Sequence, residues 1–257
     1  MEVALVPPWF RSRGYKHLDA AVGATFASKA SETGFASAHP WSPLISFVKT
    51  EKRYKPVEGK TRDKERVIMF ASHRDACILA YYASELTAEL DRRYKANGLD
   101  DAVIAYRALG KSNYDFAASA MTFARSKSPC RVMCFDITGF FDNLDHGLLK
   151  ARLREAVGKP NLSDDWYSVL KAATRYRHIQ RSALEAEPLC AGRFSGGPQT
   201  PIATMAEVKA AGITIGANPH AFGIPQGTPI SAVLANLYMW PFDMAMKRAC
   251  DEAGALY

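Results

Sequence analysis

The stretch from Cys130 to Asp142 restricts this chain more than any other. In Cys130–Ile137, Met133, Phe135 and Ile137 alternate with Val132, Cys134 and Asp136, the period-2 pattern of a strand. The alternation predicts a strand that is apolar except for a carboxylate, Asp136, near its end. A sharp turn follows, Thr138-Gly139-Phe140-Phe141-Asp142, and then a helix with Asp145 as N-cap, Leu149, Leu153 and Ala156 on one side, and Gly158 as its stop before Pro160. A strand-end carboxylate beside exposed turn amides suits a divalent cation held against a phosphate chain, because the cation supplies charge and the amides supply donors. The same carboxylate can equally cap the turn, and this stretch alone leaves both readings open.

A second segment has related grammar. Phe222-Gly223-Ile224-Pro225-Gln226-Gly227-Thr228-Pro229-Ile230-Ser231 is a glycine-broken turn entering a helix, with Pro229 near the first position and Leu234, Leu237 and Tyr238 on its apolar face. Gln226, pinned between Pro225 and Gly227, can reach a ligand from such a turn. Taken alone, the segment is a loop before a helix.

Around these two segments the chain reads as follows. Residues 1–50 are rich in Pro, Ser, Gly and aromatics and predict an irregular arm with short elements. Lys49, Lys52, Arg53, Lys55, Lys60, Arg62, Lys64 and Arg66 make the densest basic run, and Val67–Phe70 then reads as a short strand. Ser72 caps a helix with Ile78, Leu79, Tyr82, Leu86 and Leu90 at helical spacing, and Phe116 to Ala124 is a second helical stretch. The Gly/Pro-rich stretch from Pro188 to Pro201 reads as a surface loop. Asp164 and Asp165 after Ser163 read as first-turn acids of a helix rather than a catalytic dyad. Asp243, Asp251 and Glu252 read as solvated helix charges, and His146 as a structural hydrogen-bonding residue.

Charge narrows the partners. The excess of 33 Lys and Arg over 26 Asp and Glu gives +7, which favours polyanions. Five scattered cysteines without a CxxC pair indicate neither a disulfide framework nor a zinc site. No apolar run approaches the ~18 residues of a membrane span, and the N-terminus has no basic region followed by an apolar segment and a cleavage site, so a cytoplasmic location is expected.

Two matches then stand out together. Phe135-Asp136-Ile137-Thr138-Gly139-Phe140-Phe141-Asp142-Asn143-Leu144-Asp145-His146 resembles palm motif A of retron, group II intron and related bacterial reverse transcriptases. Ile224 to Ser231, continuing into Leu234-Ala235-Asn236-Leu237-Tyr238, resembles their motif B, in the right order and roughly eighty residues on. Arg66-Val67-Ile68 with Ser72-His73-Arg74-Asp75, and Val103 to Arg107 with Lys111-Ser112-Asn113, resemble the family's fingers segments. The arm Arg13-Gly14-Tyr15-Lys16-His17-Leu18-Asp19, together with the Tyr106-Arg107 segment, looks most like the defence-associated (antiviral) members, which pair with a structured non-coding RNA template.

The resemblance implies an α+β fold, the fingers and partial palm of a right-hand polymerase without a thumb: residues 1–50 an N-terminal arm, 51–125 fingers, and 126–257 a palm carrying motifs A and B. It implies an RNA-directed DNA polymerase, a nucleotidyltransferase using Mg²⁺ and dNTPs on an RNA template with a DNA or protein primer. Asp136 would be catalytic and, with the Ile137 carbonyl, a metal ligand. Gly139 and Phe140 amides would donate to the triphosphate, and Arg66 with Lys64 or Lys60 would neutralise it. Gln226 and Gly227 would contact the incoming nucleotide, and Phe141 would lie under the sugar and exclude a 2′-hydroxyl. The family's Tyr-x-Asp-Asp strand pair has no counterpart before Tyr257, so this chain alone is expected to be inactive, as a fragment, a truncation or half of a split enzyme. Two alternatives stay open: a non-catalytic RNA-binding or regulatory palm that sequesters RNA or dimerises with a full-length copy, and a terminal transferase or RNA polymerase on the same scaffold.

Overall fold

The computed structural model describes residues 6–257 and is a mixed α+β structure. Two short helices, α1 (Ala24–Ala30) and α2 (Phe35–Ala38), precede a long hairpin of β1 (Leu44–Lys55) and β2 (Lys60–Phe70). Next come α3 (His73–Ala96), α4 (Asn113–Ser126), α5 (His146–Ala156) and α6 (Asp164–Thr174). A smaller group follows, β3 (Arg177–Gln180), α7 (Arg181–Ala186), α8 (Pro188–Ala191), α9 (Met205–Ala210) and β4 (Gly216–Ala217), before the long α10 (Ser231–Glu252). The strands form one sheet in the order β2-β1-β3-β4, with β1 antiparallel to β2, β3 parallel to β1, and β4 antiparallel to β3.

The main core follows from helical spacing. Ile78, Leu79, Tyr82, Leu86, Leu90 and Tyr94 of α3 are buried, and Leu149 and Leu153 of α5, Val169 and Leu170 of α6, and Leu234, Leu237 and Trp240 of α10 pack into the same cluster. Each fully buried aliphatic side chain contributes roughly 1.5–3 kcal/mol, so this four-helix layer dominates stability. Capping fixes the starts: Ser72, Asp145 and Ser163 side chains accept from Asp75, Leu148 and Trp166 amides. A smaller core joins Ile45 to Ile179, Leu184, Cys190, Ile202 and Val208.

The arm is built in rather than loose. Tyr15 donates to the Ala71 carbonyl at 2.7 Å, and the Asp19 carboxylate accepts from the His73 and Arg74 amides at 2.9 and 3.0 Å. His17 is fully buried; its Nδ1 accepts from the Leu18 amide at 2.8 Å, so Nε2 carries the proton and faces the Phe70 carbonyl at 3.2 Å. Burial holds its pKa down at about 4. These bonds clamp the junction where β2 passes into α3.

Four expectations need correction. Residues 130–137 are not a strand: among the described residues no segment pairs with them, and Val132, Met133, Phe135 and Ile137 are exposed. Alternation supplies a face, but a strand also needs a neighbour for its amides and carbonyls, and without one the segment runs as exposed irregular chain. The arm does not end at residue 50, because β1 begins at Leu44 and crosses that boundary. Residues 188–201 are not loop throughout, because Pro188, fixed for a first helical position, opens α8. Asp243 is not a solvated charge. It is buried, its Oδ1 accepts from the Tyr257 hydroxyl at 2.6 Å, and desolvation raises its pKa. Asp165, a first-turn acid of α6 whose cap is Ser163, bonds another helix: its buried carboxylate accepts from the Gly34 and Ser37 amides at the start of α2, both at 2.8 Å.

No helix among the described residues is long and apolar enough to cross a membrane.

Candidate nucleic-acid interface and nucleotide turn

The two segments singled out in the sequence meet in space. The Ile224 amide donates to the Phe141 carbonyl at 2.8 Å, the Gly223 amide to the Leu144 carbonyl at 2.8 Å, and the His146 amide to the Ala221 carbonyl at 3.0 Å. His146 Nε2 lies 2.7 Å from the Gly223 carbonyl oxygen, a structural bond as expected. Gly223 has φ +85, and a Cβ there would lie 2.9 Å from the Asp142 carbonyl oxygen, so glycine is what lets the second turn dock on the first. Within the second turn, the Thr228 hydroxyl donates to Ser231 Oγ and Ser231 Oγ donates to the Pro225 carbonyl, which locks the entry to α10.

The same turn reaches the hairpin. The Met69 amide donates to the Gln226 carbonyl at 2.7 Å, and a Cβ on Gly227 would sit 2.7 Å from the Met69 carbonyl oxygen and 3.0 Å from Ile68. Three stretches, β2 near Ile68 and the turns at 139–146 and 222–231, therefore form one framework. In the first turn Gly139 takes φ +61, and its carbonyl accepts from the Asp142 amide and the Asn143 side chain. Phe141 packs edge-on to Phe140 and to Tyr106, which itself holds a left-handed φ of +60. That strained non-glycine backbone aims Tyr106 at Phe141, and composition and spacing carry no signal for it.

The hairpin has two unlike faces. Antiparallel partners put their side chains on one side, so the register assigns Lys49, Glu51, Arg53 and Lys55 of β1 and Lys60, Arg62, Lys64 and Arg66 of β2 to a single face. Glu51 is the one acid there. Lys49 and Arg66 bind its carboxylate and hold its pKa down at about 2. The opposite face carries Thr50, Lys52, Tyr54, Thr61, Asp63 and Glu65. Arg62 pairs with Glu58 of the connecting turn at 2.6 Å, and the positive charge left over still collects on one side of an exposed arm. Ile68 lies on this basic side, so the basic row begins where Gly227 packs.

The site residues expected from the sequence are brought together unevenly. Gly139, Phe140, Phe141, Gln226 and Gly227 belong to the joined turns, and Arg66 lies three residues up β2 from Met69. Lys64 and Lys60 lie farther out; at ~3.4 Å per residue Lys60 is roughly 30 Å from Met69, so it cannot serve one triphosphate together with Gln226. Asp136 and Ile137 lie on the exposed irregular segment. Among the described residues no three His, Cys, Asp or Glu side chains gather as a metal site. This donor set does not fit a two-ion Mg²⁺ centre, where ions about 3.5–4 Å apart share several anionic ligands.

No protein-family model matches the chain, and no curated protein matches it.

Proposed function

We propose that this chain is the template- and nucleotide-binding part of a bacterial reverse transcriptase, an RNA-directed DNA polymerase of the defence-associated kind that copies a structured non-coding RNA. The observation that supports this reading most is the junction of the 139–146 turn, the 222–231 turn and β2. Segments flagged independently by resemblance to motif A, motif B and the fingers become neighbours through backbone bonds. In this reading the joined turns cradle the incoming nucleotide, Phe141 polices its sugar, and the basic face of the hairpin grips the nucleic-acid backbone. From Lys60 to Arg66 that face runs roughly 20 Å, the length of about six phosphates at ~3.4 Å rise, which suits a polymer better than a single triphosphate.

Because the carboxylates present do not make a two-ion centre, no chemical step is assigned to this chain alone. Mg²⁺-dependent extension would need further acids beside Asp136. A second reading, an RNA-binding module without catalysis, is favoured by that isolated carboxylate combined with the one-sided charge. Titrating a fluorescent structured RNA and assaying dNTP incorporation on a primed RNA separates the readings. Binding with no incorporation, plus incorporation once a chain supplying the missing acids is added, supports the polymerase part. Binding with no rescue by such a chain supports the RNA-binding module, and no binding overturns both.

A further inference from the structure

A cavity of about 540 Å³ lies on another side of the 222–231 turn, walled by the end of α2, the Pro40–Ser42 segment, α3 and α6. Its size is that of a small-molecule site. Leu44, Leu79 and Ala173 make an apolar floor beside Thr228. Two aromatic rings line it, Trp41 and Tyr176, and three cations, Lys171, Arg175 and Arg177, stand at its exposed rim. None of these cations has a carboxylate partner among the described residues, whereas Arg92, Arg93, Arg107, Arg152, Arg181 and Arg193 are each ion-paired.

The cavity's one carboxylate is already spent internally. Asp75 Oδ1 lies 2.6 Å from His39 Nε2 and Oδ2 accepts from the Ser42 amide at 2.9 Å, so it has little to offer a cationic guest. Trp41 is held in place, with Nε1 donating to Ser168 Oγ at 2.9 Å and its carbonyl accepting from Arg177 at 3.0 Å. A fixed indole beside guanidinium and ammonium groups that have no carboxylate partner among the described residues recognises a flat ring joined to an anion.

We propose that this cavity is a binding site for a free nucleoside monophosphate, its base against Trp41 and Tyr176 and its phosphate among Lys171, Arg175 and Arg177. The site is distinct from the joined turns and does not rest on the polymerase reading. Because Thr228 forms part of its wall, an occupant would touch the turn that carries Gln226.

Calorimetric titration with AMP, adenosine and inorganic phosphate at fixed ionic strength tests it. AMP should bind saturably at one site, and adenosine and phosphate about tenfold or more weaker, the scale of a lost charge-assisted bond. Lys171→Gln with Arg175→Gln should weaken AMP by a similar factor, while Arg53→Gln with Lys64→Gln on the hairpin should leave it unchanged. On the unmutated protein, AMP should also protect Lys171 from amine acetylation, read by mass spectrometry. The proposal is overturned by absence of saturable AMP binding, by phosphate binding as tightly as AMP, by loss of AMP binding in the hairpin variant alone, or by an unprotected Lys171.

Discussion

The backbone amide of Met69 donates to the carbonyl of Gln226 across 2.7 Å, and this bond fixes the 222–231 turn to the root of the hairpin. Gly227 makes the approach feasible, since at φ +113 it has no Cβ to strike the Met69 carbonyl oxygen. Gly227→Ala should therefore destabilise the fold by about 1–3 kcal/mol through backbone strain, with further loss from the contact. Gly98→Ala, also at positive φ but facing open space, should lose less. Urea midpoints of the two variants check the order, and equal midpoints would mean that the turn does not pack on β2 this way.

Salt dependence should report which hairpin face meets RNA. Changing Arg53, Lys60 and Lys64 to Gln removes three cations from the basic face and should lower the slope of log affinity against log salt by about 2–3, at ~0.7–0.9 per phosphate contact. Lys52→Gln on the opposite face should leave the slope within error. Fluorescence titrations between low and moderate salt decide; equal effects from the two faces would defeat the one-sided interface.

The chain by itself should not extend a primer on RNA in Mg²⁺, because among the described residues no three His, Cys, Asp or Glu side chains gather around Asp136 to hold two cations. A single-nucleotide extension gel with matched dNTP is the measurement. Clear Mg²⁺-dependent product from the purified chain would show that its own residues assemble the centre.

Stability should fall as pH drops from about 6.5 towards 4. An unfolded His17 titrates near 6.5, whereas in the fold burial lowers it to about 4, so between those values the unfolded chain binds the extra proton. The stabilisation present above pH 6.5 is then lost at up to roughly 1.4 kcal/mol per pH unit from this group. His73, also lowered chiefly by burial, adds in the same direction. Urea unfolding at pH 7.5, 6 and 5 should show the decline, and His17→Gln should flatten it. An identical pH slope in the variant would remove His17 as its source.

Helix starts were legible because each is a local event: a Ser or Asp oxygen and an amide two or three residues on, as at Ser72, Asp145 and Ser163. The two turns were legible as turns from their glycines. Their meeting was not, since Gly223 against Asp142 is a contact between distant parts of the chain and leaves no periodic trace. Most of β2 was hidden too: Lys60 to Glu65 is solvent-exposed on both sides, so no apolar alternation marks it beyond Val67–Phe70. Residues 130–137 erred the other way, showing alternation without a partner strand. Asp243 misled because a lone acid on a helix is ordinarily solvated, and only the fold shows Tyr257 turning back onto it.

The open stretch at 130–137 also governs how the molecule behaves in bulk. Phe135 is 85% exposed and Val132 70%, on backbone whose amides have no sheet to join, a surface that invites strand addition by any similar chain. Arg131 and Asp136 are the charges that interrupt it, and they act as gatekeepers against stacking. Neutralising Asp136 to silence a metal ligand therefore also lowers a colloidal barrier, and lost activity in such a variant must be separated from precipitation by light scattering.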